Sequence, residues 1–194
     1  MQKRLLTLLL IVAMAVSMTA CKKTEESKES GGTTAGISKD KIKVAVIHIG
    51  NPADGAGYTY AHDQGIIAMQ QELGLADNQI IRKNNVDDTD AVAIKTALEE
   101  CIEEGAHIIF GTSWGYMDMM AEMAEEHPDI IFSHCSGYKS NDKNFNNYFG
   151  RIYQARYLAG IAAGLKTKTN KIGYVAAMGK DNAEVTGGIN AFAM

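Results

Sequence analysis

Apolar and polar residues alternate in blocks from about residue 41 onward. Residues 42–49 form a continuous, mostly β-branched run, IKVAVIHI, which predicts a strand buried on both faces. Such a strand is typical of the centre of a parallel sheet. Shorter apolar runs predict further strands over residues 79–82, 106–111, 130–134, 147–150 and 171–177.

The segments between these strands carry apolar residues at helical spacing. Gly74 is expected to end the first helix, and His127-Pro128 the third. The residues predicted to face the core include Leu73, Val92, Leu158 and Leu165. The predicted helices cover residues 58–73, the segment between a cap at 88–90 and Gly105, residues 116–126, residues 152–166, and a segment from Glu184 onward.

The alternation of strands and helices indicates βαβ units. We therefore expect the α/β class, with a doubly wound, mostly parallel sheet and helices on both faces. Ligands of such sheets bind beyond the carboxyl ends of the strands, where loops lead into helices. Functional residues are expected just after Ile49, Phe110, His134, Phe149 and Ala177.

A different pattern occupies the start of the chain. Two basic residues precede an apolar run over residues 5–16, which leads to the sequence MTAC at residues 18–21. This order is typical of a bacterial lipoprotein signal peptide over residues 1–20, with Cys21 as the lipid-bearing N-terminus. A transmembrane anchor is disfavoured, because residues 5–20 are too few to span about 30 Å of hydrocarbon comfortably. We expect a lipid-anchored protein on the extracytoplasmic face of the cell membrane.

Composition after the signal peptide narrows the possible partners. Residues 21–40 consist largely of Lys, Glu, Ser, Thr and Gly, which predicts a flexible tether. Cleavage removes two basic residues and lowers the formal charge from −4 to −6. An acidic protein lacks the basic patch that nucleic acid binding requires, so we expect no nucleic acid partner.

The loop after the first strand contains three glycines, a proline and an aspartate before Tyr58. Its sequence, GNPADGAGY, matches neither G-x-G-x-x-G nor G-x-x-x-x-G-K-[ST], so a phosphate-binding loop is disfavoured. An aromatic residue at the start of a helix suits a planar ligand, and stacking a base on it contributes about 1–3 kcal/mol. Alternatively, Tyr58 and Tyr60 cover the edge of the sheet, and composition does not separate the two interpretations.

The loops after the later strands contain further candidate ligand-binding and catalytic residues. Ser113 and Trp114 lie between glycines in the sequence GTSWGY, which favours ligand stacking over simple loop packing. His134 and Cys135 suggest a nucleophile and its base. Adjacent residues of a strand point to opposite faces, however, so we expect the two side chains to diverge.

Metal and disulfide chemistry are also disfavoured. The remaining histidines show no metal-ligand spacing, and we predict no metal, no cofactor and no catalytic residue. Cys101 and Cys135 lie in apolar contexts and are expected to be buried free thiols, with a disulfide as the alternative.

Several motifs together resemble the BMP family, the basic-membrane-protein or purine-nucleoside-receptor-like lipoproteins that serve ABC importers. The helix opening GYTYAHDQG is most similar to the subgroup linked to free purine bases. The motifs are GYTYAHDQG at residues 57–65, GTSWGYMD at 111–118, SGY at 136–138, YFGRIY at 148–153, YLAG at 157–160, KIGYV at 171–175 and GGINAF at 187–192.

This resemblance implies a type 1 periplasmic-binding fold, in which two α/β lobes close around the ligand. It places the first lobe with its crossover helix at residues 41–166 and an incomplete second lobe at 167–194. It also implies that Tyr58 stacks on a purine base or nucleoside and that Asn190 faces it, with Ser113, Trp114 and Glu184 as further contacts. The expected partner is an ABC transporter permease.

Family chains run well past residue 194, so the resemblance also implies a truncated second lobe. Residues 171–194 are expected to be poorly anchored, because a single strand and part of a helix cannot bury their apolar faces alone. Two other functions stay open. One is an extracellular hydrolase that uses Cys135, His134 or Asp118, and the other is a binding protein for a sugar or another small solute.

Overall fold

The computed structural model describes residues 36–179 and 182–194, and in this part of the chain five parallel strands form one sheet. The predicted signal peptide, Cys21 and most of the predicted tether lie outside the described residues. The sheet order is β2-β1-β3-β4-β5, with every neighbouring pair parallel. The strands are β1 Val44–Ile47, β2 Ile80–Lys83, β3 Ile108–Gly111, β4 Ile131–Cys135 and β5 Phe145–Tyr148.

Five α-helices in the same ranges connect or follow these strands. Gly74 ends the first in the left-handed conformation (φ 58°), and the Asp90 side chain caps the second by accepting from the backbone N–H of Val92 and Ala93, as predicted from the sequence. The helices are α1 Gly57–Leu73, α2 Ala91–Glu103, α3 Met117–Glu126, α4 Ile152–Lys166 and α5 Ala183–Ala193.

Both faces of the sheet are covered by helices, which confirms the doubly wound α/β class. Helices α2 and α3 pack on one face, where Leu98, Ile109 and Met120 are completely buried. Helix α1 packs on the other face, where Ile66 meets Val46. The residues of β1 alternate between these two cores, which explains why its sequence is apolar throughout.

The buried sides of two helices differ from the prediction. Val92 is 75% exposed, whereas Ile94 is 3% exposed and begins the buried stripe of α2. Two positions correspond to about 200° around a helix, so the two side chains lie on opposite sides. Leu73 is half exposed at the end of α1. Hydrophobic spacing identified both helices correctly but assigned these residues to the wrong side.

Helix α4 packs against α5 and contributes no side chain to the core of the sheet. All of α4 is described and none of its residues is buried; Leu158 and Leu165 are 64% and 85% exposed, contrary to the prediction. Gly160 brings the two helices close together, because a Cβ at this position would overlap the carbonyl oxygen of Phe192. The absence of a side chain at Gly160 therefore permits the contact between these helices.

Two predicted strands are also corrected. Strand β5 begins at Phe145, two residues before the predicted segment 147–150. Residues 171–177 have no strand conformation, and Val175 is 99% exposed. A strand requires a hydrogen-bonded neighbour, and none pairs with this segment in the described part of the chain.

A buried polar network connects α1 to the carboxyl ends of three strands. The Thr112 hydroxyl donates to the carbonyl of Ile47 at 2.9 Å, and its oxygen lies 3.0 Å from Nδ1 of the buried His48. Asp63 on α1 accepts from Nε of Arg82 at 2.6 Å, and its Oδ1 lies 3.6 Å from His48 Nε2. Burial lowers the pKa of His48, although the Asp63 carboxylate opposes this shift.

Stability is expected to depend on pH through three histidines, His48, His62 and His134. Burial lowers the pKa of each in the folded chain, whereas the unfolded value is about 6.5. The unfolded state therefore binds more protons below that pH, and the free energy of unfolding should fall as the pH is lowered from 7.5 to 5.5. Chemical denaturation across this range measures the slope, and His48→Gln should reduce it. A slope of zero or of opposite sign would contradict this expectation.

The contact at Gly160 can be tested with a matched glycine of the same helix. Gly160→Ala should force α5 away from α4 and increase amide hydrogen exchange in α5. Gly164→Ala adds a Cβ that meets nothing within 4 Å, so it should leave exchange in α5 unchanged and stabilise α4 by up to about 1 kcal/mol. If both substitutions change amide hydrogen exchange in α5 equally, the close approach of α4 and α5 at Gly160 does not hold the helices together.

Candidate functional site

A cleft of about 900 Å³ lies at the carboxyl edge of the sheet. The loops after β3, β4 and β5 form one side, and the segment leading into α5 forms the other. This location agrees with the expectation that functional residues follow the strands. The described lining residues are Trp114, Ser136, Gly137, Tyr138, Phe149, Ile152, Tyr153, Met178, Gly179, Asn182, Ala183, Glu184 and Gly187.

Aromatic side chains dominate the strand side of the cleft. Trp114 begins a short 3-10 turn after β3, and its ring centroid lies 6.0 Å from that of Tyr138 with a tilt of 55°. Tyr138 is 70% exposed, and Phe149 and Tyr153 are each 46% exposed. These partly exposed aromatic residues line one cavity, which suits a flat ligand.

Polar groups lie on the opposite side of the cleft. The Asn182 side chain caps α5 by accepting from the Val185 N–H at 3.1 Å. Glu184 is half-buried, and its Oε1 lies 3.6 Å from Nη2 of Arg156. Arg156 also donates to the Tyr174 hydroxyl at 2.8 Å. The guanidinium is thus held in place, and the carboxylate can accept a hydrogen bond from a ligand N–H.

Tyr58 lies beside the cleft without lining it. Gly57, with φ of 85°, supplies the left-handed residue that opens α1. The Tyr58 ring is 51% exposed, and its hydroxyl is directed at Sγ of Cys135, 3.9 Å away. Burial raises the pKa of Tyr58, and the negative charge of Glu184 contributes to the same shift.

Ser113 and Asn190 do not line the cleft. Ser113 is 7% exposed, and its hydroxyl donates to Oδ2 of Asp88 at 2.6 Å. It therefore connects the loop after β3 to the cap region of α2. Asn190 is exposed on α5, one turn beyond the lining residue Gly187. Of the five predicted contacts, Trp114 and Glu184 lie in the cleft wall.

The side chains of His134 and Cys135 point to opposite faces of the sheet, as predicted. Neither Cys101 nor Cys135 is in a disulfide. His134 donates through Nε2 to the carbonyl of Ser113 at 2.7 Å, on the sheet face covered by α2 and α3. Cys135 points to the opposite face, where burial raises its pKa, and Cys101 is free in the other core with its pKa raised to about 12. The Cys135 thiol lies 3.8 Å from Nε2 of His62 and not near His134, and its raised pKa keeps it protonated, which makes it a poor nucleophile.

Within residues 36–179 and 182–194, no group of three or more His, Cys, Asp and Glu side chains could hold a metal ion. None of the helices in these ranges has both the length and the apolar composition needed to cross a bilayer.

Sequence reasoning missed most of the aromatic wall. Tyr138 and Phe149 follow the ends of β4 and β5, and this position at the carboxyl edge of the sheet is the signal that could have identified them. Tyr153 lies in a predicted helix, and that position gives no signal of a ligand contact. Met178 and Asn182 had no local signal, because their place in the cleft depends on the α4–α5 contact.

Solved structures share the fold. A solute-binding protein of an ABC transporter system from Aeropyrum pernix aligns with a TM-score of 0.52 at 15% identity, covering 63% of this chain and 32% of its own. A transcriptional activator of the comK gene from Bacillus halodurans aligns with a TM-score of 0.57 at 17% identity, covering 77% and 49%. At these identities the likeness concerns the fold alone.

Curated relatives are more similar to this chain in sequence than these solved structures are. A purine-binding protein of Brucella abortus is 35% identical over 158 residues, which is 81% of this chain and 43% of the relative. TsgA13 of Haloferax volcanii, named provisionally as an ABC transporter glucose-binding protein, is 35% identical over 169 residues, or 87% and 40%. The nucleoside-binding protein BmpA of Lactococcus lactis is 24% identical over 185 residues, or 93% and 50%.

The chain thus spans half or less of the length of these relatives. The model of a family described as ABC transporter substrate-binding proteins, PnrA-like, matches residues 41–194. That family consists of binding proteins, not enzymes, in agreement with the neutral thiol and the diverging His134 and Cys135. The protein belongs to the Bmp family of ABC transporter substrate-binding proteins.

Proposed function

We propose that this chain forms the ligand-binding part of an extracytoplasmic receptor that captures a purine base or nucleoside for an ABC importer. The observation that carries the proposal is the cleft lined by Trp114, Tyr138, Phe149 and Tyr153 beside the acidic Glu184. Aromatic faces bind flat heterocycles, and a carboxylate accepts from the amino or ring N–H groups that purines carry. The relative named as a purine-binding protein supports this ligand class.

In this proposal the ligand stacks against the aromatic wall and against the exposed ring of Tyr58. Each stacked base contributes about 1–3 kcal/mol. Glu184 orients the ligand by accepting a hydrogen bond, and Asn190 approaches it from α5. Ser113 fits a supporting role, because its bond to Asp88 holds the loop that carries Trp114.

We assign residues 41–166 to a first lobe with its crossover helix and 167–194 to the beginning of a second. The relatives are at least twice as long as the matched segment. A ligand that is covered from both sides is released only when the lobes open. The complete receptor would therefore retain its ligand more strongly than the cleft of this chain alone.

The same proposal places the protein outside the cytoplasm. Residues 1–20 serve as a lipoprotein signal peptide, Cys21 carries the lipid, and residues 21–40 form the tether. The expected partner at the membrane is the permease of the importer.

Glucose is the second candidate ligand, because TsgA13, whose name assigns it glucose provisionally, has the same identity to this chain as the purine-binding relative. Aromatic rings also stack on sugar rings, so the cleft does not exclude it. Calorimetric titration with adenine, guanine, adenosine, guanosine and glucose separates the two ligand classes. We expect heat from at least one purine compound and none from glucose; the reverse result would replace the proposed ligand class.

Two tyrosines of similar exposure on α4 allow a test of whether the cleft binds the ligand. Tyr153 and Tyr157 have similar exposure, 46% and 42%, but only Tyr153 lines the cavity. Trp114→Ala and Tyr153→Ala should each raise the dissociation constant for the bound purine about 5- to 150-fold, the equivalent of about 1–3 kcal/mol. Tyr157→Ala should leave it unchanged. Equal losses in all three variants would mean that the cleft is not the binding site.

The anchor can be tested in cells. Cys21→Ser should abolish incorporation of radiolabelled palmitate and move the protein from the membrane to the soluble fraction. Cys101→Ser provides the control, since a buried thiol in the core cannot be the lipid acceptor. Palmitate labelling that persists in the Cys21→Ser protein would overturn the assignment of the lipid to this residue.

A further inference from the structure

Tyr58, His62 and Tyr148 converge on Sγ of Cys135, so side chains from α1, β4 and β5 meet at this sulfur. The hydroxyl of Tyr58 lies 3.9 Å from Sγ of Cys135, and Nε2 of His62 lies 3.8 Å from the same sulfur. The Tyr58 and His62 rings are also in edge contact, with centroids 4.5 Å apart and planes at 62°. Helix α1 supplies both rings, and β4 supplies the thiol, so the contact joins the helix to the sheet.

The available protons define the direction of this hydrogen-bond chain. Burial lowers the pKa of His62 and raises the pKa values of Tyr58 and Cys135, so all three groups are neutral near pH 7. The Tyr58 hydroxyl can donate to the sulfur, and the Cys135 S–H can donate to Nε2 of His62. The imidazole proton then resides on Nδ1. The Tyr58 O–H and the Cys135 S–H thus both have an acceptor.

We propose that Cys135 is a positioning residue for Tyr58, holding its hydroxyl toward the protein so that a ligand meets only the aromatic ring. This inference rests on the proposed function, in which Tyr58 stacks on a flat solute. It assigns a role to a thiol that lies outside the cleft lining. Sulfur is a weak acceptor, so the contact orients the ring without contributing much to stability.

This arrangement determines which part of a ligand Tyr58 recognises. Because its hydroxyl is occupied by the thiol, Tyr58 recognises the flat face of a ligand and does not read the polar groups at its edge. Discrimination between ligands is left to other groups, such as the Glu184 carboxylate. Tyr58→Phe should therefore preserve stacking and lose only the orientation of the ring.

A double-mutant cycle on purine binding tests the coupling. We expect Tyr58→Phe and Cys135→Ala each to raise the dissociation constant for adenine about two- to tenfold, the range of a single modest hydrogen bond. The double variant should be no weaker than the weaker single variant, because both substitutions remove the same contact. Cys101→Ala, at the free cysteine on the other face of the sheet, should leave the constant unchanged.

Additive losses in the cycle would overturn the proposal, since they would mean that the hydroxyl and the thiol act independently. A loss with Tyr58→Phe and none with Cys135→Ala would place the hydroxyl on the ligand instead. Thermal unfolding of each variant identifies any that fail to fold. Cys135→Ser keeps a donor and an acceptor at this position and should restore binding toward the original constant.

A second measurement requires no ligand. Nitrogen-15 NMR of the His62 ring, assigned with His62→Gln, reports which nitrogen carries the proton. We expect the Nδ1–H form in the original chain and in Cys135→Ser, and a shift toward the Nε2–H form in Cys135→Ala. The same tautomer in the original chain and Cys135→Ala would refute the hydrogen-bond chain. If no purine binds while the Nδ1–H form is present, the proposed function fails and the hydrogen-bond chain stands.

Discussion

Parallel pairing of the strands is the constraint on which the rest of this structure depends. Each strand must be followed by a crossover, so every loop that leaves a strand begins at the same edge of the sheet. Strand β1 lies inside the order β2-β1-β3-β4-β5, and the chain leaves it toward β2 before it returns on the other side through β3. The loops after β1 and β3 therefore diverge, and the cleft extends from the loop after β3 along the loops after β4 and β5.

The chemical groups around this edge are arranged to remain neutral or paired. Burial suppresses the charged forms of His48, His62 and Cys135, and the Asp63 carboxylate is matched by Arg82. Burial keeps the Cys135 thiol protonated beside His62, whereas covalent chemistry requires an activated nucleophile. What the edge offers is aromatic surface and a few hydrogen-bonding groups, which is the composition of a binding site and agrees with the family.

The cleft combines two regions that are built in different ways. The strand side depends on the sheet, where Trp114 and Tyr138 are carried by loops anchored at buried strands. The other side depends on α5, which is held against α4 through the close approach at Gly160. The acidic group Glu184 thus faces the aromatic wall because two helices pack together outside the core of the sheet. Changes in that helix contact are expected to alter the width of the cleft more readily than changes in the sheet.

The sequence by itself determined the local elements and their order. Some features depend only on neighbouring atoms, namely the β-branched run of β1, the left-handed Gly74 and the capping Asp90. Their positions can therefore be predicted from the sequence. The family resemblance indicated five contacts, of which Trp114 and Glu184 line the cleft, whereas Tyr58, Ser113 and Asn190 do not. Only the tertiary structure decided which side of α2 is buried, that no residue of α4 is buried, that residues 171–177 form no strand, and that His62 meets Cys135, 73 positions later. Those outcomes depend on contacts between distant segments, and such contacts form only when the whole sheet is assembled.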